Sequence, residues 1–134
     1  MTYCLDTNAV IFSLKISTSE PFLRRFARTT PENIKIPEMV RAELLYGAAR
    51  SRRVEENRKI VKAFLAPYEL LPFNGEAVEH FADIRADLEQ KGEVIGPYDL
   101  IISATVRACG GTLVTSNLRE FSRVKGLRVE DWSD

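Results

Sequence analysis

Five short β-prone runs punctuate this chain: Thr2-Tyr3-Cys4-Leu5, Ile34-Lys35-Ile36, Glu69-Leu70-Leu71, Thr112-Leu113-Val114-Thr115 and Leu127-Arg128-Val129-Glu130. Each is too short for a helix, and stretches of helical period separate them. Strands that alternate with helices are joined by crossovers, and right-handed crossovers build a parallel sheet covered on both faces. The predicted fold is therefore α/β, a three-layer α/β/α sandwich around a mostly parallel central sheet of four to five strands. A chain of 134 residues supports one core of this kind, so residues 1–134 are expected to form a single domain.

The helices can be placed between these runs. Ala9–Lys15 forms a short one; after a polar break at Ser17-Thr18-Ser19-Glu20, a second runs through Phe22, Leu23 and Phe26 and ends near Thr29-Thr30-Pro31. Pro37 opens a third at its first turn, reaching Ala49 with Met39, Val40, Leu44 and Tyr46 on its apolar side. Beyond the basic break Arg50-Ser51-Arg52-Arg53, a fourth presents Val54, Ile60, Val61, Phe64 and Leu65 and stops at Pro67. Asn74 caps a long helix with Val78, Phe81, Ile84 and Leu88 on one stripe, up to Lys91-Gly92. Pro97 begins a helix apolar almost all round, closed by Gly110-Gly111 and therefore buried.

Composition removes several reaction classes. Nineteen basic and nineteen acidic residues give zero net charge, so any nucleic-acid contact must come from local basic patches. The only histidine, His80, excludes a two-histidine acid–base pair and a zinc site with several His ligands. Cys4 and Cys109 lack C-x-x-C spacing and are expected to pack as small hydrophobes. No window approaches the roughly 18 apolar residues of a membrane span, and no secretory leader is evident, so the expected address is the cytoplasm, with no membrane partner.

In parallel α/β sheets, ligands bind beyond the carboxyl ends of the strands where strand order reverses. Asp6 stands at such an end, directly after the first strand, where it serves either chemistry or as the N-cap of the next helix. Glu43 projects between Met39 and Val40 toward the core side of its helix, where an acid must be paired with an Arg or bound to a metal. Asp99 falls in the first turn of the buried helix, where the macrodipole alone favours an anion by about 0.3–1 kcal/mol. Three acids from three elements that converge on one end of the sheet, with no histidine, suit Mg²⁺ or Mn²⁺. Asn117, at the end of the fourth strand, either holds a weak ligand position or caps Leu118–Phe121, and Glu120 lies within reach of the same pocket.

In order, the segments Leu5-Asp6-Thr7-Asn8, Pro37 through Gly47, Pro97-Tyr98-Asp99, Leu113 through Phe121, Gly126-Leu127 and Glu130-Asp131-Trp132 cover nearly the whole chain. Together they resemble the PIN-domain proteins, and within them the VapC toxins of bacterial and archaeal toxin–antitoxin pairs. The resemblance implies a Mg²⁺-dependent endoribonuclease that arrests translation and is neutralised by a small cognate VapB-type antitoxin. It also implies a homodimer that assembles with the antitoxin into a heteromeric complex. The acidic residues of the family fall on Asp6, Glu43 and Asp99. A fourth acid of many relatives is replaced here by Asn117, which leaves the number of metals open and draws attention to Glu120.

From these positions Asp6, Glu43 and Asp99 are the expected metal-holding carboxylates, with Asn117 and Glu120 completing the catalytic set. Water rather than a ribose hydroxyl is the expected nucleophile, giving 5′-phosphate and 3′-hydroxyl ends. Arg50, Arg52, Arg53, Arg119 and Arg123 are candidate RNA contacts, against a simple solvated face. The resemblance points to structured RNA such as tRNA as substrate. Apolar Phe22, Phe26, Val54 and Phe64 serve either partner contacts or the core. A phosphoryl-accepting signalling module would need adjacent acids after the first strand and an acceptor Asp ending a central strand; Thr7 and Asn8 follow Asp6 instead. A catalytically silent PIN-fold binding module is the remaining alternative, disfavoured because a binding surface has no need of uncompensated carboxylates.

Overall fold

The computed structural model describes residues 1–15 and 19–133. Five strands, β1 (Tyr3–Leu5), β2 (Ile34–Pro37), β3 (Glu69–Leu71), β4 (Thr112–Val114) and β5 (Arg128–Glu130), form one sheet in the order β3-β2-β1-β4-β5. Every pairing is parallel, and β1 is central, with Tyr3 opposite Ile34 on one side and Thr112 on the other. The helices are α1 (Thr7–Leu14), α2 (Glu20–Arg28), α3 (Glu38–Ala49), α4 (Val54–Leu65), α5 (Glu76–Lys91), α6 (Pro97–Cys109) and α7 (Leu118–Phe121). The chain steps β1 to β2 to β3 in one direction and then returns across the sheet to β4 and β5. Right-handed crossovers therefore place α1–α4 on one face and α5–α7 on the other, which is the three-layer α/β sandwich.

The main core joins Leu5, Val10, Ile34, Ile36, Val40 and Val114 to apolar residues of α2, α4, α6 and α7. Phe22 packs edge-on to Phe12 and against Trp132, while Phe26 stacks on Phe64. Those contacts assign Phe22, Phe26 and Phe64 to the core rather than to a partner-facing surface. A second cluster, Ile84, Leu88, Ile95, Leu100, Ala104 and Val124, seals α5 onto α6. Among the described residues no helix is long and apolar enough to cross a membrane.

Several expectations need correction. Pro37 is the last residue of β2 and the N-cap of α3, not its first helical residue. Gly75, with φ of 51°, rather than Asn74 precedes α5. Tyr46, Ile60 and Val78 sit at apolar spacing yet are 66%, 45% and 48% exposed, because the buried stripe of each helix is narrower than its apolar one. Cys109 is exposed, while Cys4 is buried as expected. Of the polar break before α2, residues 17 and 18 lie outside the described residues.

Candidate active site

Strand order reverses between β1 and β4, and the residues that follow these two strands form the floor of the site. Asp6, only 5% exposed, caps α1 by accepting from the Ala9 N–H at 2.8 Å. Its carboxylate also accepts from the Thr115 hydroxyl. The capping reading of Asp6 is thus borne out, and the same side chain stands at the carboxyl end of β1. Burial pushes its carboxyl up; the Thr115 and Ala9 bonds oppose that, and the charges of Glu43 and Asp131 add to it.

Glu43 reaches the same place from α3 and is half-buried rather than buried. Its Oε1 accepts from the Thr7 hydroxyl at 2.7 Å, which ties α3 to the first turn of α1. Neither an Arg nor a Lys is bridged to it among the described residues, so the ion-pair alternative for this position is set aside.

Asp99 occupies the first turn of α6, as its sequence position implied. Its carboxyl is pushed up to about 7, first by burial, then by its hydrogen bond and charge contact with Glu120, and further by Glu43 and Asp6. Burial acts to raise Glu120 too. The proton from Asp99, the Gly96 N–H and the Asn117 amide outweigh it and hold Glu120 below the ordinary glutamate range. Glu120 Oε1 accepts from the Gly96 N–H at 3.1 Å and Oε2 from Asn117 Nδ2 at 2.8 Å. Asn117 therefore does not cap α7 with its side chain; it holds Glu120 in place while its own N–H donates to the Thr115 hydroxyl at 2.9 Å. A Cβ on Gly96 would meet Asp99 Oδ2 at 3.7 Å and Glu120 Oε1 at 4.0 Å, so the backbone closes one wall of this pair.

Asp6, Glu43, Asp99 and Glu120 thus share one electrostatic neighbourhood. They do not form a closed ligand shell: among the described residues no three His, Cys, Asp or Glu side chains are gathered tightly enough to hold a metal ion as they stand. Like charges repel, and each acid instead leans on a local donor. The set still fits a hard divalent cation: its side chains are all acidic and offer only oxygen. His80 is elsewhere, its Nδ1 accepting from Arg107 Nε at 2.8 Å. Asp131 and Gly96 were missed from sequence; the position of Asp131 directly after β5 was the available signal.

The basic candidates lie at two separate places. Arg50 stacks over the Tyr46 ring at 5.7 Å and Arg53 pairs with Glu56 at 3.3 Å, on the α3–α4 turn. Asn57, bonded to Ser51 of that turn at 2.9 Å, lines an apolar groove of Ile11, Leu14, Leu44, Ile60 and Val61 that opens beside Thr7 and Glu43. Arg119 and Arg123 line a second, cationic cleft with Lys91 and Lys125, one turn from Glu120.

The sequence matches the PIN domain family over residues 3–127. It is 39% identical over 132 residues to the tRNA(fMet)-specific endonuclease VapC of Salmonella typhimurium, covering 98% of each chain. It is 35% identical over 133 residues to the protein of the same description from Shigella flexneri, covering 99% of each. The fold superposes with a TM-score of 0.91 on a chain of the DNA-bound VapBC crystal structure from Salmonella typhimurium, at 39% identity and 98% coverage of both.

Proposed function

Because the chain belongs to the PIN-domain family, and within it to the VapC ribonucleases, we propose that it is a Mg²⁺-dependent endoribonuclease toxin, a single catalytic domain over residues 1–134 that acts on tRNA in the cytoplasm to arrest translation. The observation that carries this reading is the meeting of Asp6, Glu43, Asp99 and Glu120 at the strand-order reversal, with the Asp99 carboxyl raised to about 7 by burial and then by its acidic neighbours. Its relatives of 39% and 35% identity bear the description tRNA(fMet)-specific, and tRNA(fMet) is the substrate proposed here.

Asp6 and Asp99 would hold the cation, with Glu43 as the third carboxylate. A bound Mg²⁺ or Mn²⁺ supplies positive charge that lowers the pKa of water toward neutrality and offsets charge developing at phosphorus. Around it, Thr7 fixes the direction of Glu43, leaving Oε2 to orient water toward the phosphodiester. Asn117 and the Gly96 N–H hold Glu120, which in the metal-free protein holds the Asp99 carboxyl and its proton at the mouth of the site; a cation held by Asp99 would take the place of that proton. Arg119 and Arg123, flanking Glu120, and Arg50, Arg52 and Arg53 beyond the groove are proposed to receive RNA phosphates.

A VapB-type antitoxin is the proposed partner, in a heteromeric complex with a homodimer of this chain. The apolar groove beside Glu43, with Leu14 and Ile60 exposed at 41% and 45%, suits a helical or extended antitoxin segment that ends over the carboxylates.

The test is incubation of purified, antitoxin-free protein with tRNA(fMet) and total RNA, with Mg²⁺ or EDTA, followed by mapping of new ends. The expected result is discrete Mg²⁺-dependent cutting of tRNA(fMet) that leaves 5′-phosphate and 3′-hydroxyl ends. Products bearing a 2′,3′-cyclic phosphate would sink the water-nucleophile mechanism, and cutting of another RNA alone would replace the proposed substrate. No cleavage of any RNA by folded, Mg²⁺-binding protein would favour a silent binding module.

A further inference from the structure

The two cysteines play no part in the chemistry above, yet the fold brings them together. Cys4 is fully buried in the middle of β1, and Cys109 is exposed at the last residue of α6. Their sulfurs lie 3.9 Å apart although 105 residues separate them in sequence. Pleating explains the meeting: Tyr3 packs against Trp132 on one face of the sheet, so Cys4 points to the other face, which α6 covers. Gly111 then passes beside both sulfurs. A Cβ there would stand 3.2 Å from each of them, so a larger residue would crowd both sulfurs.

We propose that Cys4 and Cys109 are a dithiol–disulfide pair, a modification site at which a hydroperoxide converts two thiols into one intrachain disulfide. Cys109 is the exposed residue of the two and reacts first. It attacks the terminal oxygen of the hydroperoxide, the O–O bond breaks, an alcohol (water, for hydrogen peroxide) leaves, and Cys109 becomes a sulfenic acid. Cys4 then attacks that sulfur; the S–S bond forms, the S–O bond breaks, and the oxygen leaves as water with the proton from Cys4. Overall two thiols lose two electrons and two protons, and the hydroperoxide is reduced to alcohol and water. The environment favours this order: the hydrogen bond from Cys4 holds the Cys109 thiol down at about 6 against the opposing effect of its partial burial, with the Gly111 N–H and Lys35 adding to the lowering. Formation of the bond requires the sulfurs to close to about 2.05 Å, and Cys109, at the surface end of its helix, is the residue able to move.

Such a bond would tie the strand leading into Asp6 to the helix that begins beside Asp99. In a reducing compartment it would be transient, which suits a sensor rather than a structural staple. The pair stands apart from the carboxylates, so its redox chemistry does not depend on the nuclease reading.

The test treats the full-length protein with hydrogen peroxide and then counts thiols after denaturation. The expected result is loss of both thiols in monomeric protein, a Cys4–Cys109 linked peptide two hydrogen masses lighter than the reduced pair, and full reversal by dithiothreitol. Cys4→Ala should leave Cys109 as a sulfenic acid trapped by dimedone, and Cys109→Ser should leave Cys4 unreactive in folded protein. Only intermolecular disulfides, irreversible oxidation of Cys109 without the linked peptide, or two intact thiols after treatment would each overturn the proposal. The linked peptide is sought in the unsubstituted protein, so its presence or absence decides the matter even where a variant folds poorly.

Discussion

Asp99→Asn should stabilise the metal-free protein while destroying its proposed activity. Asn is nearly isosteric with the protonated Asp and can donate to Glu120, so it keeps the hydrogen bond and removes the charge. In the folded protein the Asp99 carboxyl is raised from 3.8 to about 7, so folding takes up a proton. Stability linked to this group is fully present below pH 3.8 and is lost as pH rises through about 7. At about 1.36 kcal/mol per pH unit the ceiling is about 4 kcal/mol at pH 8, and partial exposure of the side chain reduces this to about 1–2 kcal/mol by solvent screening. Asp6, also raised, contributes in the same direction. Glu120 is held low, so its contribution is lost only below the ordinary glutamate range and leaves the window from pH 5.5 to 8 alone. In EDTA at pH 8, Asp99→Asn should melt about 3–8 °C above the parent, with the advantage roughly halved at pH 5.5. Thermal melts of the two proteins across that range decide it. A variant that melts at or below the parent at pH 8, or a gain that does not change with pH, would refute the reasoning.

Asp6→Asn and Asp6→Ala should both abolish RNA cleavage, but only the alanine variant loses the cap on α1, at a cost of about 0.5–2 kcal/mol in urea unfolding. Phe121, 1% exposed in the main core, should cost about 3–5 kcal/mol on replacement by Ala, measured the same way. Ser103 is buried with its hydroxyl unpartnered among the described residues, so Ser103→Ala should be neutral or stabilising by up to about 1 kcal/mol. Combined Arg52→Glu and Arg53→Glu should raise KM and flatten its dependence on salt with little change in kcat; unchanged kinetics would remove these residues from the RNA path.

What could be read from the sequence was whatever local chemistry decides. Alternating strand and helix periods, with Gly110 closing α6, led to a parallel sheet, and the strand-end rule then singled out Asp6. What could not be read depends on neighbours distant in sequence. Tyr46, Ile60 and Val78 fit an apolar stripe but face solvent, because the width of each stripe is set by the helix packed against it. Whether Glu43 met an Arg or a hydroxyl depended on where Thr7 came to rest. Asn117 looked equally like a cap and a ligand, and only Glu120, fixed on Gly96, shows that it orients another acid. Cys109 gave no sign that Cys4 would meet it.

The position of β1 in the middle of the sheet also governs when the site comes into being. Its partners are Ile34 on one side and, on the other, Thr112, which a ribosome adds only after most of the chain has been made. Until β4 docks, Asp6 has no Thr115 beside it and no Val114 carbonyl to receive its N–H, and Asp99 has no Glu120 to lean on. Pairings so distant in sequence form late. A nascent or truncated chain that stops short of β4 therefore carries Asp6, Glu43 and Asp99 without the site itself, whose assembly waits on the last quarter of the polypeptide.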